Sequence, residues 1–216
     1  MKITTRPYRI DGSALNEVWF DRSYDPNAFG VPFDWKSAKN IIDVGGHIGT
    51  FTLFAAAKSP DAKIVTLEPE PGNFVMLTAN ISANKLLSRI TPHNMGLGDG
   101  QSITLYTFPN DRGGNSVYRT QEGGVPVTIE TISLKDLFDR HEITICDYLK
   151  IDCEGAEYEA LYTLPAEYFS RIRMIGMEYH HFSSDPKHNA DALQEHLEKN
   201  GMKVLRHKKS MMLAFR

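Results

Sequence analysis

From Asn40 onward, short apolar runs alternate with stretches whose apolar residues recur at helical spacing, which predicts strands and helices in turn. Ile41 to Val44 is a strand-length run that ends in Gly45-Gly46-His47-Ile48-Gly49, and Phe51, Phe54 and Ala55 then mark a helix over Thr50 to Lys58. A second run, Lys63 to Leu67, follows the breaker Ser59-Pro60-Asp61, and Phe74, Leu77 and Ile81 lie at i, i+3 and i+7 on another helix face. Ile90 to Met95 predicts a third strand. This succession implies right-handed crossovers and a parallel sheet with helices on both faces.

The middle of the chain changes period. Ser102 to Phe108 and Val125 to Ile132 alternate like half-buried antiparallel strands, joined across the loop signal Asp111-Arg112-Gly113-Gly114-Asn115. Tyr148 to Ile151 resumes the sheet, Gly155 to Leu164 predicts a helix stopped by Pro165, and Arg173 to Met177 predicts a strand. Ala190 to Asn200 carries Leu193 and Leu197 on one helical face and ends at Gly201. Met202 to Leu205 and Met211 to Phe215 lie too close together for a parallel crossover, so they predict an antiparallel hairpin. The expected fold is α/β: a Rossmann-like, doubly wound, mostly parallel sheet ending in an antiparallel hairpin, with a small antiparallel insert. Residues 1–36 have weak periodicity and many breakers, and are read as an N-terminal extension or cap ahead of a domain spanning 37–216.

Composition narrows the class. At 216 residues, 41% hydrophobic and 24% charged, the chain can build one core without staples and is no disordered polymer. A net charge of −3 gives no basic field to attract nucleic acid or an acidic membrane surface, and Arg206 to Lys209 reads as a solvated hairpin tip. Cys146 and Cys153 flank one apolar run and are read as reduced thiols of a cytoplasmic protein. No apolar run reaches the roughly 18 residues that span a bilayer.

The chemistry starts at the first turn. In Asp43-x-Gly45-Gly46-x-x-Gly49 the glycines let the backbone leave a strand sharply and admit a ligand close to the main chain, and the following helix is expected to aim free N–H groups at it. Glu68 ends the second strand, about 20 residues past the glycine turn, where an acid can accept hydrogen bonds from both hydroxyls of a ribose. An adenosine-containing cofactor is therefore expected. A dinucleotide would set its pyrophosphate against the acidic Asp43, whereas S-adenosyl-L-methionine carries a sulfonium and an ammonium that welcome a carboxylate. The spacing also departs from G-x-G-x-x-G, and these features favour S-adenosylmethionine over NAD.

Four ordered blocks then resemble the FkbM-type family of class I S-adenosylmethionine-dependent methyltransferases, over roughly residues 40–205. They are Ile42-Asp43-Val44-Gly45-Gly46-His47-Ile48-Gly49; Glu68-Pro69-x-Pro71 with Leu77, Asn80 and Asn84; Asn94-Met95-Gly96-Leu97-Gly98-Asp99; and Leu149-Lys150-Ile151-Asp152-Cys153-Glu154-Gly155-Ala156-Glu157. Two positions depart: Gly46-His47 stands where the family commonly has Ala-Asn, and Lys135 where Asp often follows Ser-Leu. The resemblance implies a methyl donor and transfer usually to oxygen of a small-molecule acceptor such as a sugar, polyketide or other secondary metabolite. It places Asn94 and Met95 near an adenine, and it leaves the acceptor unnamed.

In an open parallel sheet, ligands bind beyond the carboxyl ends of the strands, where Gly45, Glu68, Asn94, Asp152 and His180 all fall. Candidate cofactor-binding residues are Asp43, Gly45, Gly46, Gly49, Glu68, Pro69, Asn94, Met95 and Asp152. Asp152 and Glu154 are candidates for orienting the acceptor or taking its proton, and His180 has a side chain suited to accepting a proton near neutrality. Glu157 can serve either the site or the dipole of its helix. Of the adjacent His180 and His181, at most one is expected to face the crevice. No ligand spacing is diagnostic of a metal, so none is assigned. An NAD-dependent oxidoreductase and a noncatalytic nucleotide-binding module are the alternatives. The first gives no reason for the Lys150 to Glu157 block or the hairpin, and the second would bind the ligand without consuming it. A nucleic-acid methyltransferase is disfavoured by the acidic balance and by Asp152-Cys153-Glu154-Gly155, which lacks the Pro-Pro-aromatic run that holds a flipped base.

Overall fold

The apolar runs lie side by side in a seven-stranded sheet in the computed structural model, which describes residues 1–107, 124–181, 185–208 and 210–216. The strands are β1 (Asn40–Val44), β2 (Lys63–Leu67), β3 (Ile90–His93), β4 (Gly96–Leu97), β5 (Ile103–Thr107), β6 (Val125–Ile129), β7 (Thr131–Ile132), β8 (Tyr148–Ile151), β9 (Met174–Glu178), β10 (Lys203–His207) and β11 (Met211–Phe215). The helices are α1 (Arg9–Leu15), α2 (Thr50–Lys58), α3 (Pro71–Ala83), α4 (Leu134–Arg140), α5 (Glu157–Tyr162), α6 (Ala166–Phe169) and α7 (Ala190–Lys199).

Across the main sheet the order is β10-β11-β9-β8-β1-β2-β3. All neighbours are parallel except β11, which runs antiparallel to both β9 and β10. The doubly wound sheet with a closing hairpin is thus the observed architecture. Side chains alternate across it: Ile42, Val44, Leu149 and Ile151 enter a core under α4 to α7, while Ile41, Ile64 and Tyr148 enter a second core under α2 and α3.

Residues 1–36 supply part of that second core. α1 runs into a π-helical turn at Asn16–Phe20, a 3₁₀ turn follows at Pro26–Phe29, and Val18, Tyr24, Val31 and Trp35 are buried against Phe51 and Phe54 of α2. Trp35 stacks on Tyr148 with ring centres 5.0 Å apart, and the Tyr148 hydroxyl donates to the Tyr24 carbonyl at 2.6 Å. The weak periodicity of this stretch has a physical source: its buried residues, Val18, Tyr24, Val31 and Trp35, are spaced by turns and do not form one face of a regular helix.

Several expected boundaries move, and the run Val125 to Ile132, expected as one antiparallel strand, divides at Glu130 into β6 and β7, which pair with different partners. β3 stops at His93, because the Asn94 amide donates to the carbonyls of Glu68 at 2.8 Å and Pro69 at 3.0 Å and turns the chain away. Gly96–Leu97 then pairs in parallel with Thr131–Ile132. α5 starts at Glu157 and not at Gly155, since Glu154 and Gly155 have φ of 54° and 111°, which no right-handed helix contains. The insert forms as a separate antiparallel ribbon of β5 and β6. Phe108, the loop signal at Asp111 to Asn115 and Lys209 lie outside the described residues.

Candidate active site

The first turn is drawn tight by its own backbone. Gly45 and Gly46 both donate their N–H to the Leu67 carbonyl, at 3.0 and 2.8 Å, Gly49 donates to Gly46 at 2.8 Å, and His47 donates to Glu68 Oε2 at 2.7 Å. These four amides of the turn are therefore spent inside the protein. Gly45 has φ of 79°, and a Cβ there would stand 1.8 Å from the Asp152 carbonyl, so the turn and the end of β8 touch backbone to backbone. A Cβ on Gly46 would meet Thr66 Oγ1 at 2.4 Å, so that glycine serves packing against β2. The Asn80 amide of α3 donates to the Ile48 carbonyl at 2.8 Å and holds the far side of the turn.

Asp43 requires a correction. Its residue is 0% exposed and does not line the cavity at the strand ends. Oδ2 accepts from the Thr52 hydroxyl at 2.5 Å, and Oδ1 lies 3.4 Å from Lys150 Nζ. Lys150, a cation inside an otherwise apolar strand, donates to the carbonyls of Val44 at 3.0 Å and Gly45 at 2.7 Å and stands 3.6 Å from Asp152 Oδ2. Asp43 thus balances Lys150 behind the turn and is not itself presented to a ligand. The signal for Lys150 was available: a lone charge in Tyr148 to Ile151 must be paired if that strand is central.

Glu68 is buried and borders the cavity. Burial pushes its carboxyl up to about 7, against the lowering pull of N–H donors from Glu70 and His47. Oε1 accepts from Glu70 N at 2.9 Å and from the Asn73 amide at 3.4 Å. Pro69 and Met95 line the same cavity, whereas Asn94 is exposed and braces the Glu68–Pro69 backbone. Gly46, Gly49, Asp43 and Asn94 therefore shape the site from behind, while Gly45, Glu68, Pro69, Met95 and Asp152 face it.

Beyond β8, Asp152 and Glu154 both open onto this cavity of about 240 Å³. Asp152 Oδ2 accepts from the Tyr24 hydroxyl at 3.0 Å, a contact from the N-terminal segment that nothing in its sequence announced. Glu17 of that segment and Glu178 at the end of β9 add two more carboxylates. Burial lifts Glu154 to about 7, with His180 pulling down and Asp152 pushing up; burial also lifts Glu17 to about 7, aided by Glu178 and Asp152. The apolar wall comes from Val44, Leu67, Leu97 and the inward face of the ribbon, Ile103, Leu105 and Ile129.

His180 sits beside the acids but is held by Glu157. Glu157 is 0% exposed; its Oε1 accepts from His180 N at 2.6 Å and faces His180 Nδ1 at 3.1 Å, while Oε2 accepts from Gly155 N at 2.9 Å. Burial disfavours the imidazolium, yet Glu157, Asp152 and Glu154 outweigh it and raise His180 to about 9. The ring is thus oriented by Glu157, with its other nitrogen toward Glu154. His181 is exposed and meets only the edge of Tyr179, among the described contacts, with ring centres 5.5 Å apart. Lys135 pairs with Asp139 at 2.8 Å on the exposed face of α4, away from the cavity. Neither cysteine is in a disulfide, and no described helix is long and apolar enough to cross a membrane.

A family model described as the methyltransferase FkbM domain matches residues 43–204. The methyltransferase sdnD of Sordaria araneosa is 26% identical, the match covering 82% of this chain and 83% of that protein. The 31-O-demethyl-FK506 methyltransferase FkbM of Streptomyces tacrolimicus is 24% identical, over 76% of this chain and 72% of its own. The crystal structure of a methyltransferase FkbM from Methylobacillus flagellatus KT superposes with a TM-score of 0.56 at 17% identity. That match takes in 98% of this chain but only 56% of the other, so the likeness is one of fold.

Proposed function

The chain belongs to the FkbM family of methyltransferases, and from that premise we propose that it draws its methyl group from S-adenosylmethionine and places it on a hydroxyl of a small molecule. The observation that carries this reading is the convergence of Gly45, Glu68, Asp152 and Glu154 on one cavity, with apolar residues along its other wall.

The residues present suit that cofactor. Glu68 borders the cavity with a carboxylate able to accept from a ribose diol, and Val44, Leu67 and Leu97 offer an apolar slot for a base. Charge again argues against a diphosphate, now through different residues: Glu17, Glu68, Asp152, Glu154 and Glu178 line the cavity, while Lys150 is committed to Asp43. The amides of Gly45, Gly46, His47 and Gly49 are already engaged within the protein, so these four offer no donors to a pyrophosphate. This weighs against the NAD alternative. S-Adenosylmethionine, when bound, supplies an activated methyl on a sulfonium.

The chain's own part is to hold the acceptor, exclude water and remove a proton. We assign the orienting and proton-accepting work to Asp152 and Glu154, and the shaping of the acceptor pocket to the N-terminal segment and the β5–β6 ribbon. The name of the Streptomyces relative, a 31-O-demethyl compound's methyltransferase, supports oxygen as the acceptor atom. Incubation with methyl-labelled S-adenosylmethionine across sugars, polyketides and peptides tests it. Label is expected on a hydroxyl, with kcat for Glu154→Gln lower by roughly 10²–10⁴. Label on nitrogen, or an undiminished Glu154→Gln, contradicts the assignment.

A further inference from the structure

Three side chains able to ligate a metal meet at one rim of the cavity. Asp152 follows β8, Glu178 ends the neighbouring parallel strand β9, and His180 lies two residues further on. One oxygen from each carboxylate and one imidazole nitrogen all lie within 4.8 Å of one another. The donors thus gather at the carboxyl ends of two adjacent strands, Glu178 within β9 and Asp152 and His180 just beyond β8 and β9.

A second arrangement, outside this trio, bears on the same point. Fully buried Glu157 takes the backbone N–H of His180 at 2.6 Å and its Nδ1 at 3.1 Å, which fixes the ring and turns Nε2 toward the acids. Nε2 stands 3.8 Å from Glu154 Oε2. A buried carboxylate gripping one ring nitrogen is the support that orients a metal-ligating histidine through the other. The charge balance is one-sided as well: Glu17 and Glu154 join Asp152 and Glu178 around the cavity. Of the nearby cations, Lys150 is bound to the Val44 and Gly45 carbonyls beside Asp43, and Lys208 Nζ donates to Ser23 Oγ at 2.8 Å.

We propose that Asp152, Glu178 and His180 bind a divalent cation at the acceptor end of the cavity. Two carboxylate oxygens and one imidazole make a hard-to-borderline donor set, which suits Mn²⁺ or Mg²⁺ over softer ions. On an octahedral ion with bonds of ~2.1 Å, adjacent ligand atoms stand roughly 3 Å apart and opposite ones about 4 Å, so the present spacing closes with small side-chain movements. Three protein ligands leave neighbouring positions open. If the methyl-transfer reading holds, and only for this last step does the proposal rest on it, those positions take two adjacent oxygens of the acceptor, which selects a vicinal diol or a hydroxy acid.

The test is titration of the chelator-stripped, purified chain with MnCl₂, following free Mn²⁺ by its electron paramagnetic resonance. One Mn²⁺ per chain is expected. Glu178→Gln should weaken binding at least tenfold, as should His180→Gln, and Glu157→Gln, which touches no ion, by about 10–100-fold. The exposed Glu167→Gln should leave it unchanged, and circular dichroism melts in chelator show which variants are folded. No bound Mn²⁺, or binding that survives both Glu178→Gln and His180→Gln in folded protein, overturns the site. S-Adenosylhomocysteine titrated into the same stripped protein separates the two readings. Mn²⁺ binding without it sinks the cofactor assignment and leaves the ion site standing, while the reverse sinks the ion site alone.

Discussion

At the scale of single residues, the site is organised by charges that are paired before any ligand arrives. Lys150 and Asp43 form a buried pair 3.4 Å apart. Lys150→Met strands Asp43 in the core and should cost about 3–5 kcal/mol in urea unfolding, while adding Asp43→Asn should recover much of that loss. An equal loss in the double variant would show that the pair is not what the site is built on. Glu68 makes a second prediction. Its folded carboxyl lies at about 7, above its unfolded value, so its own contribution to apo stability is present below about pH 4.3 and is lost as the pH rises through about 7. A ribose diol donating to the carboxylate needs the ionised form, so S-adenosylhomocysteine affinity should run the other way and rise about tenfold between pH 6 and pH 8. Calorimetric titration across that range checks it, and Glu68→Gln should flatten the dependence. Asp43, Glu68 and Asp152 could be read from their places after strand ends. The partners of Glu68 and Asp152 could not, because His47 and Tyr24 reach them only through the fold.

At the scale of elements, strands were the most legible feature, since a strand inside the sheet buries both faces and is mostly apolar; Lys63–Leu67 begins and ends where its run does. Boundaries moved where one side chain or one backbone angle overrode the pattern, at Asn94 and at Glu154-Gly155. The N-terminal segment was least legible, because its buried residues follow no period. It is nonetheless part of the packing: Trp35 meets Phe33, Phe54 and Tyr148, and its indole N–H donates to Asp25 Oδ1 at 3.0 Å. Trp35→Ala should therefore destabilise the whole chain by about 3–5 kcal/mol in a single cooperative transition. A loss under about 1 kcal/mol would make the segment an appendage.

At the scale of the whole molecule, the net charge of −3 conceals an uneven distribution. Carboxylates gather from α5's approach, β9 and the N-terminal segment on one cavity, because the parallel sheet delivers the ends of β1, β2, β8 and β9 to the same edge. A field of that sign welcomes the ammonium of an aminoacyl tail and turns away a diphosphate. Thermal melting of the wild type with S-adenosylhomocysteine and NAD side by side tests this most directly. At ~100 times its dissociation constant, S-adenosylhomocysteine should add about 2.7 kcal/mol, roughly 5–11 °C for a chain of this size, with most of the gain gone in Glu68→Ala and none from NAD. A clear gain from NAD with none from S-adenosylhomocysteine would contradict the account.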